Sequence, residues 1–385
     1  LDHPEENYPI IHVTGTNGKG SSIAFMSQLF AEHKKKVGTF TSPHMVSIYD
    51  RICVNHKPIS DKDFVRIGRR IQAMERQLLQ TQDPLSYFEI LTLIALLYFE
   101  EEQVDVALIE VGIGGLLDAT NVVIGDVAVV TSVGLDHQET LGDSIVAIAE
   151  QKAGIFKKKE RAVIGPLAEE ARRVCELRAD ELGVVLYEYG RDFSFSKGQF
   201  SNQDKMIVGL QLGLKGTYQE ENAAVALQSF LLFMKQQNWQ PQVKWIRKAL
   251  QETHWAGRLE YFERGIYLDG AHNLPALSRL VEFIRQQEQK EIFLLFGALK
   301  RKNYQGMLSY LKQELPDVRL TITTFEDDCA IDKRNLTTET YVSSYREFIE
   351  QFIKKSTDSQ LLFVTGSLYF IAEVRAFLLE KELTA

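Results

Sequence analysis

Cysteine is scarce in this 385-residue chain: there are three, Cys53, Cys175 and Cys329. They follow no metal-ligand spacing and form no disulfide framework, which suits a reducing, cytoplasmic setting. Long apolar runs are missing as well. No stretch approaches the ~20 residues of a membrane-spanning helix, and the N-terminus carries no signal-peptide pattern. A basic excess is also lacking. The 44 Lys and Arg against 52 Asp and Glu give a net charge of -8, which argues against a general nucleic-acid binder. There is no low-complexity tract and no short-period repeat. The expected partners are small molecules, with neither nucleic acid nor membrane, and a monomer is expected.

What is present is an ordinary globular composition, 45% hydrophobic and 25% charged, over a length that suggests two domains. The most informative stretch is Ile10-Ile11-His12-Val13-Thr14-Gly15-Thr16-Asn17-Gly18-Lys19-Gly20-Ser21. An apolar run reads as a buried strand, a glycine-rich turn follows, and Lys19 opens a helical pattern. Glycines let backbone N–H groups curl around anionic oxygens, and a helix N-terminus adds a positive dipole end. Lys19 is then placed to reach the outer phosphates of a nucleotide. The pattern departs from the common G-x-x-x-x-G-K-[ST] loop, because Val13 stands where that form has its first glycine and Gly20 displaces Ser21. The bland alternative is an ordinary Gly-Asn turn.

Alternating apolar runs and helical patterns predict an α/β fold. It would comprise an N-terminal domain with a mostly parallel sheet and phosphate loop, 1–257, and a smaller Rossmann-like α/β domain, 258–385. Strands are expected at Ile10–Thr14, Val37–Thr41, Val104–Glu110, Val127–Val133 and Ala162–Ile164. Helices are expected near Lys19–His33, Asp61–Leu79, Tyr87–Glu102 and Ser144–Phe156. Residues 184–215 read as a small antiparallel patch. A second series has strands Gly265–Leu268, Ile292–Phe296, Val318–Thr324 and Leu361–Val364. Its helices fall near Pro275–Glu288, Asn303–Leu311, Tyr341–Phe352 and Leu368–Leu379, and 254–258 reads as the hinge.

Several chemistry-bearing residues fall at predicted strand ends, where open parallel sheets bind ligands. Glu110 opens into Val111-Gly112-Ile113-Gly114-Gly115, and Ser42 lies in Thr41-Ser42-Pro43-His44. His137 closes Thr131-Ser132-Val133-Gly134-Leu135-Asp136-His137. Oxygens of Ser42 and Glu110 with the His137 imidazole would suit a divalent cation beside phosphates. Taken singly, Glu110 is a strand-end acid and His137 a turn or core histidine. Lys152 sits near a helix end and reads as a cation complementing the helix C-terminus. Asp269-Gly270-Ala271-His272-Asn273 again sets an acid and a histidine at a sheet edge. Arg258, at the hinge, reads either as a phosphate contact or as a surface salt-bridge arginine.

These segments, with Ser86-Tyr87-Phe88-Glu89, Leu117-Asp118-Ala119-Thr120-Asn121, Lys152-Ala153-Gly154-Ile155, Asn222-Ala223 and Gly257-Arg258, run in series along the chain. In that order they resemble the folylpolyglutamate synthase and dihydrofolate synthase family of the Mur ligase superfamily. The resemblance implies an ATP-dependent amide ligase that phosphorylates a folate or dihydropteroate carboxylate and joins L-glutamate to it. Two domains closing over a cleft would suit that task. It implies that Gly15, Thr16, Asn17, Gly18, Lys19, Gly20 and Ser21 hold ATP, with Asn222, Arg258 and Asp269. It places Mg²⁺, at two sites, on Ser42, Glu110, His137 and a carbamylated Lys152. Lys19, Lys152 and His272 would be catalytic. Ser86, Tyr87, Phe88, Glu89, Leu117, Asp118 and Ala119 would line the folate pocket. One departure is Leu116, where the family carries arginine, and the family's N-terminal segment is expected to be missing before Leu1. The other readings are a Mur-type ligase for a different acid, and a nucleotide-binding homologue without the chemistry.

Overall fold

A computed structural model of the chain describes residues 1–78, 83–158, 160–287, 290–336 and 338–383. The predicted helix ends at Leu79 and Glu288 lie outside the described residues. The chain divides into two compact units. The first comprises Leu1–Gly213 and Gln219–His254, and the second Leu214–Tyr218 and Trp255–Ala385. A single cut at 257/258 misses that 214–218 belongs with the C-terminal residues.

The first unit is built on eight strands: β1 Ile10–Thr14, β2 Val37–Phe40, β3 Ile52–Val54, β4 Lys57–Pro58, β5 Val106–Glu110, β6 Val127–Val130, β7 Arg161–Ile164 and β8 Val185–Glu188. Their order across the sheet is β4-β3-β2-β5-β1-β6-β7-β8. The strands from β2 to β8 run parallel, and β3 and β4 add an antiparallel edge. β1, β5 and β6 are buried at every residue, as strands covered on both faces must be. One core packs Phe40 and Ile109 of the sheet against Ile67 and Ile71 of helix Asp61–Leu78 and Ile94 and Phe99 of helix Tyr87–Glu101. Another gathers Ala128, Val130, Ile155 and Phe156 with Ala153 of helix Ile145–Ala153 and Cys175 and Ala179 of helix Glu169–Leu182.

The antiparallel patch expected over 184–215 needs correcting at its start. Residues 185–188 pair in parallel with β7 and extend the main sheet. The antiparallel part is a separate three-stranded sheet of β9 Phe193–Ser196, β10 Gln199–Asn202 and β11 Met206–Ile207. A strand pairing its neighbour in parallel carries no local turn signal, so the sequence gives no cue to it.

The second unit holds strands β12 Glu260–Phe262, β13 Ile266–Leu268, β14 Glu291–Phe296, β15 Arg319–Thr323, β16 Tyr341–Val342 and β17 Gln360–Thr365. Their order is β12-β13-β17-β14-β15-β16, and all but β12 are parallel. The helix expected from Tyr341 begins instead at Tyr345, capped by Ser344, because residues 341–342 pair with β15. Helices Tyr218–Gln236, Val243–Glu252 and Glu169–Leu182, which fall almost wholly in the first unit, had no predicted counterpart. The first is buried on almost all sides, so it shows none of the one-sided periodicity that betrays a surface helix.

Candidate active site

The adjacency of β2, β5, β1 and β6 brings four strand ends to one edge of the sheet. β1 passes into the glycine-rich loop expected to hold phosphate, and Gly18 is the left-handed N-cap of helix Lys19–Glu32. Gly15 and Gly18 have φ of 154° and 87°. A Cβ on Gly18 would strike the Asn222 side chain, and one on Gly15 would strike the Thr131 hydroxyl. Both conformation and space therefore demand glycine.

The loop is pinned from the end of β6. Thr16 N–H donates to Ser132 O at 2.9 Å, and Thr16 Oγ1 donates to Gly134 O at 3.1 Å. Asn17 N–H donates to Ser132 Oγ at 2.9 Å, and Thr131 Oγ1 donates to Asn17 O at 2.6 Å. From the helix side, Asn222 Nδ2 donates to Gln219 Oε1 at 2.9 Å, and Gln219 Nε2 to the buried Ser21 hydroxyl at 3.4 Å. Asn222 thus braces the loop through Gln219, a residue the motif reading passed over. Thr131 and Ser132 were likewise missed, since isolated hydroxyls after a strand are common and only the loop's position gives them a role.

Lys19 Nζ donates to Gly15 O at 2.8 Å and lies 3.9 Å from Glu110 Oε1. Glu110, 3% exposed, accepts the Ser42 N–H on Oε2 at 3.1 Å. The structure therefore brings Ser42, Glu110 and Lys19 together. His137 follows the end of β6 in a left-handed conformation, φ 51°, with Nε2 4.0 Å from Asp136 Oδ2.

Lys152 is in the last turn of helix Ile145–Ala153, yet only 3% exposed. Burial, aided by the positive charge of Lys19, lowers its pKa to about 7, with Asp136 and Asp118 pulling the other way. A solvated cation at a helix terminus would not be buried in this way, and the groups acting on it belong to the phosphate-loop edge.

The proposed substrate segments divide by role. Ser86 and Glu89 form a capping box for helix Tyr87–Glu101, with Glu89 N–H on Ser86 Oγ at 3.3 Å and Ser86 N–H on Glu89 Oε2 at 2.7 Å. Phe88 stacks on Phe40 at 5.6 Å, while Tyr87 stays 58% exposed. Leu117 is 85% exposed, Leu116 is exposed beside it, and Asp118 caps the short turn Ala119–Val122.

In the second unit, Asp269 follows β13 and is buried. Its Oδ2 accepts Leu259 N–H and its Oδ1 accepts Ala271 N–H, each at 3.0 Å. Burial pushes its carboxyl up, and Arg258 with the two backbone donors pulls it back. Arg258 donates to Gly257 O at 3.2 Å. His272 Nδ1 is 2.8 Å from Gly270 O; a carbonyl only accepts, so Nδ1 carries the proton.

Two family models match this chain. The Mur ligase middle domain matches residues 13–230, and the Mur ligase glutamate ligase domain matches residues 257–368. The folylpolyglutamate synthase of Lacticaseibacillus casei is 34% identical over 394 residues, covering 98% of this chain and 92% of that protein. The chain belongs to the folylpolyglutamate synthase and dihydrofolate synthase family of Mur ligases. Members of that family have been solved with ligands. An FPGS–AMPPCP–folate complex superposes with a TM-score of 0.87 at 34% identity, covering 98% of this chain and 92% of that one. The bifunctional folylpolyglutamate synthase/dihydrofolate synthase of Yersinia pestis c092, complexed with AMPPNP and a Mn ion, superposes with a TM-score of 0.86 at 28% identity, covering 97% and 90%. Among the described residues no helix is long and apolar enough to cross a membrane.

Proposed function

We propose that this protein is an ATP-dependent ligase that adds L-glutamate to a carboxylate of a folate or of dihydropteroate through an acyl phosphate. The observation that carries the proposal is the grouping of Lys19, Glu110 and the buried Lys152 at one phosphate loop. The family's AMPPCP–folate and AMPPNP–Mn complexes support it.

The loop N–H groups of 15–21 and the Lys19 ammonium would hold the triphosphate and offset charge as the terminal phosphoryl group moves. A substrate carboxylate oxygen attacks the terminal phosphorus, and ADP leaves. The unprotonated amine of glutamate then attacks the acyl carbon, loses its proton, and the tetrahedral adduct expels phosphate. Water competes with the amine for the acyl phosphate, so the reactants must be held in line and kept dry.

The donor set fits Mg²⁺: a buried carboxylate on Glu110 beside Ser42 is the hard oxygen environment that ion prefers. Ser42, Glu110 and His137 are the proposed holders. When bound, Mg²⁺ supplies positive charge beside the phosphate oxygens. Lys152 is proposed to carry a carbamate for a second ion. With its pKa near 7, a good fraction of its amine is unprotonated at neutral pH and able to add to CO₂, and the product is an anion with two oxygen ligands. Asn222, Arg258 and Asp269 are proposed nucleotide contacts and His272 a catalytic residue. Tyr87, Leu117, Asp118 and Ala119 are proposed to meet the folate, and Phe88, with the Ser86–Glu89 cap, shapes the ground beneath them.

Labelled glutamate incorporation, run with dihydropteroate and tetrahydrofolate in parallel, tests the proposal. ATP- and glutamate-dependent product with either acceptor is the expected result. Nucleotide binding with no glutamate-dependent phosphate release from either would sink it.

A further inference from the structure

His12 stands on β1 three residues before the first glycine of the phosphate loop and is 1% exposed. Its Nε2 lies 2.9 Å from Thr120 Oγ1. The single hydroxyl proton of Thr120 goes to Asp118 Oδ1, 2.6 Å away, because an ionised carboxylate only accepts. Thr120 Oγ1 must therefore accept from His12, and the neutral imidazole holds its proton on Nε2. Its Nδ1 is then a bare lone pair, which is consistent with that buried atom having no hydrogen-bond partner among the described residues.

Asp118 extends the chain. Its Oδ1 also accepts Thr120 N–H at 3.0 Å, and its Oδ2 accepts Ile113 N–H at 3.0 Å. Side chains alternate along a strand, so His12 and Thr14 share a face of β1. Thr14 Oγ1 donates to Gly114 O at 2.6 Å. The strand that carries the phosphate loop thus grips segment 113–120 at two points, Gly114 and Thr120. The other anchors of the phosphate loop, Thr131, Ser132 and Gln219, lie elsewhere and do not pass through this chain.

We infer that His12 is a positioning residue. Through Thr120 and Asp118 it sets the placement of segment 113–120 relative to the phosphate loop. The inference rests on the proposed function, in which that segment meets the acid acceptor. It is specific: loosening this link should weaken the acceptor's hold while leaving the nucleotide's largely intact. An imidazole kept only to fill space would be replaceable by an apolar side chain of similar size.

The test uses full-length His12→Leu, His12→Gln and Thr120→Val, with KM for acceptor, KM for ATP, kcat, nucleotide affinity by calorimetry and melting temperature for each. His12→Leu and Thr120→Val should raise the acceptor KM about five- to tenfold, the weight of one lost buried hydrogen bond, with the ATP KM within about twofold. His12→Gln, whose amide N–H stands near the place of Nε2–H, should recover most of the loss. An unchanged acceptor KM in both apolar variants overturns the role, as does a loss shared equally by ATP and acceptor. If His12→Leu does not fold, Thr120→Val carries the test, since it trades a hydroxyl for a methyl at nearly constant volume. Leu117→Asp is measured alongside. If it raises the acceptor KM while the His12 and Thr120 variants do not, positioning alone fails. If it too leaves the KM unchanged, the acceptor assignment of 113–120 fails with it.

Discussion

The Lys19 ammonium stands 3.9 Å from the Glu110 carboxylate while donating to Gly15 O at 2.8 Å. One cation thus spans the loop that would hold phosphate and the carboxylate that would hold metal. Lys19 packs no core, so Lys19→Ala should leave the melting temperature near that of the parent. Turnover should fall by at least roughly 10²–10³-fold, the weight of one preorganised charge-stabilising group. A glutamate-dependent phosphate-release assay reads it, and unchanged turnover would remove the loop from the chemistry.

Glu110→Gln keeps an oxygen for the Ser42 N–H but loses the charge. The Mg²⁺ concentration for half-maximal activity should rise about tenfold or more, with kcat partly restored at high metal. A magnesium titration of parent and variant checks this. Equal half-saturation in both would take Glu110 out of the metal site.

Lys152 should respond to CO₂. Its pKa of about 7 means the reactive amine fraction grows as pH rises through neutrality and is small at pH 6. Protein stripped of CO₂ should lose activity and regain it with bicarbonate, faster at pH 8 than at pH 6. Lys152→Ala should be inactive, with partial rescue by short carboxylic acids. A carbamate resonance in ¹³C NMR with labelled bicarbonate is the direct readout, and its absence in active protein would refute the modification.

Glu160 offers a pH test outside the site. It is 4% exposed, and its two oxygens accept Gly125 N–H and Lys157 N–H at 2.7 Å each. Burial raises its pKa from 4.5 to about 7 despite those donors. A raised folded-state pKa means the favourable contribution is complete below pH 4.5 and is lost as pH climbs through 7. That contribution is up to ~3 kcal/mol. In Glu160→Gln one N–H would face an amide NH₂, so the variant should be less stable at pH 5. Its stability should also change less between pH 5 and pH 8. Denaturant unfolding at both pH values decides it, and parallel pH profiles would refute the assignment.

Much of the sheet was readable because buried parallel strands are short apolar runs ending in glycine. β1 and the start of helix Lys19–Glu32 fall where the motif places them. The strand-end pair Glu110 and Ser42 was likewise legible as a pair of neighbouring ends. Less legible was anything depending on what a residue is packed against. Lys152 looks like a helix-terminal cation until its burial is known. Ser86 and Glu89 read as pocket residues from the sequence, and only the structure shows that they also form a capping box.

By itself the sequence determined the glycine loop between β1 and its helix, the alternation of strand and helix and the family, because each is written in residues close together in the chain. Only the tertiary structure decided the order β2-β5-β1-β6, the lowered pKa of Lys152 and the tautomer of His12. These depend on residues tens to more than a hundred positions apart. Desolvation and hydrogen-bond direction belong to the surroundings of a group and not to its identity.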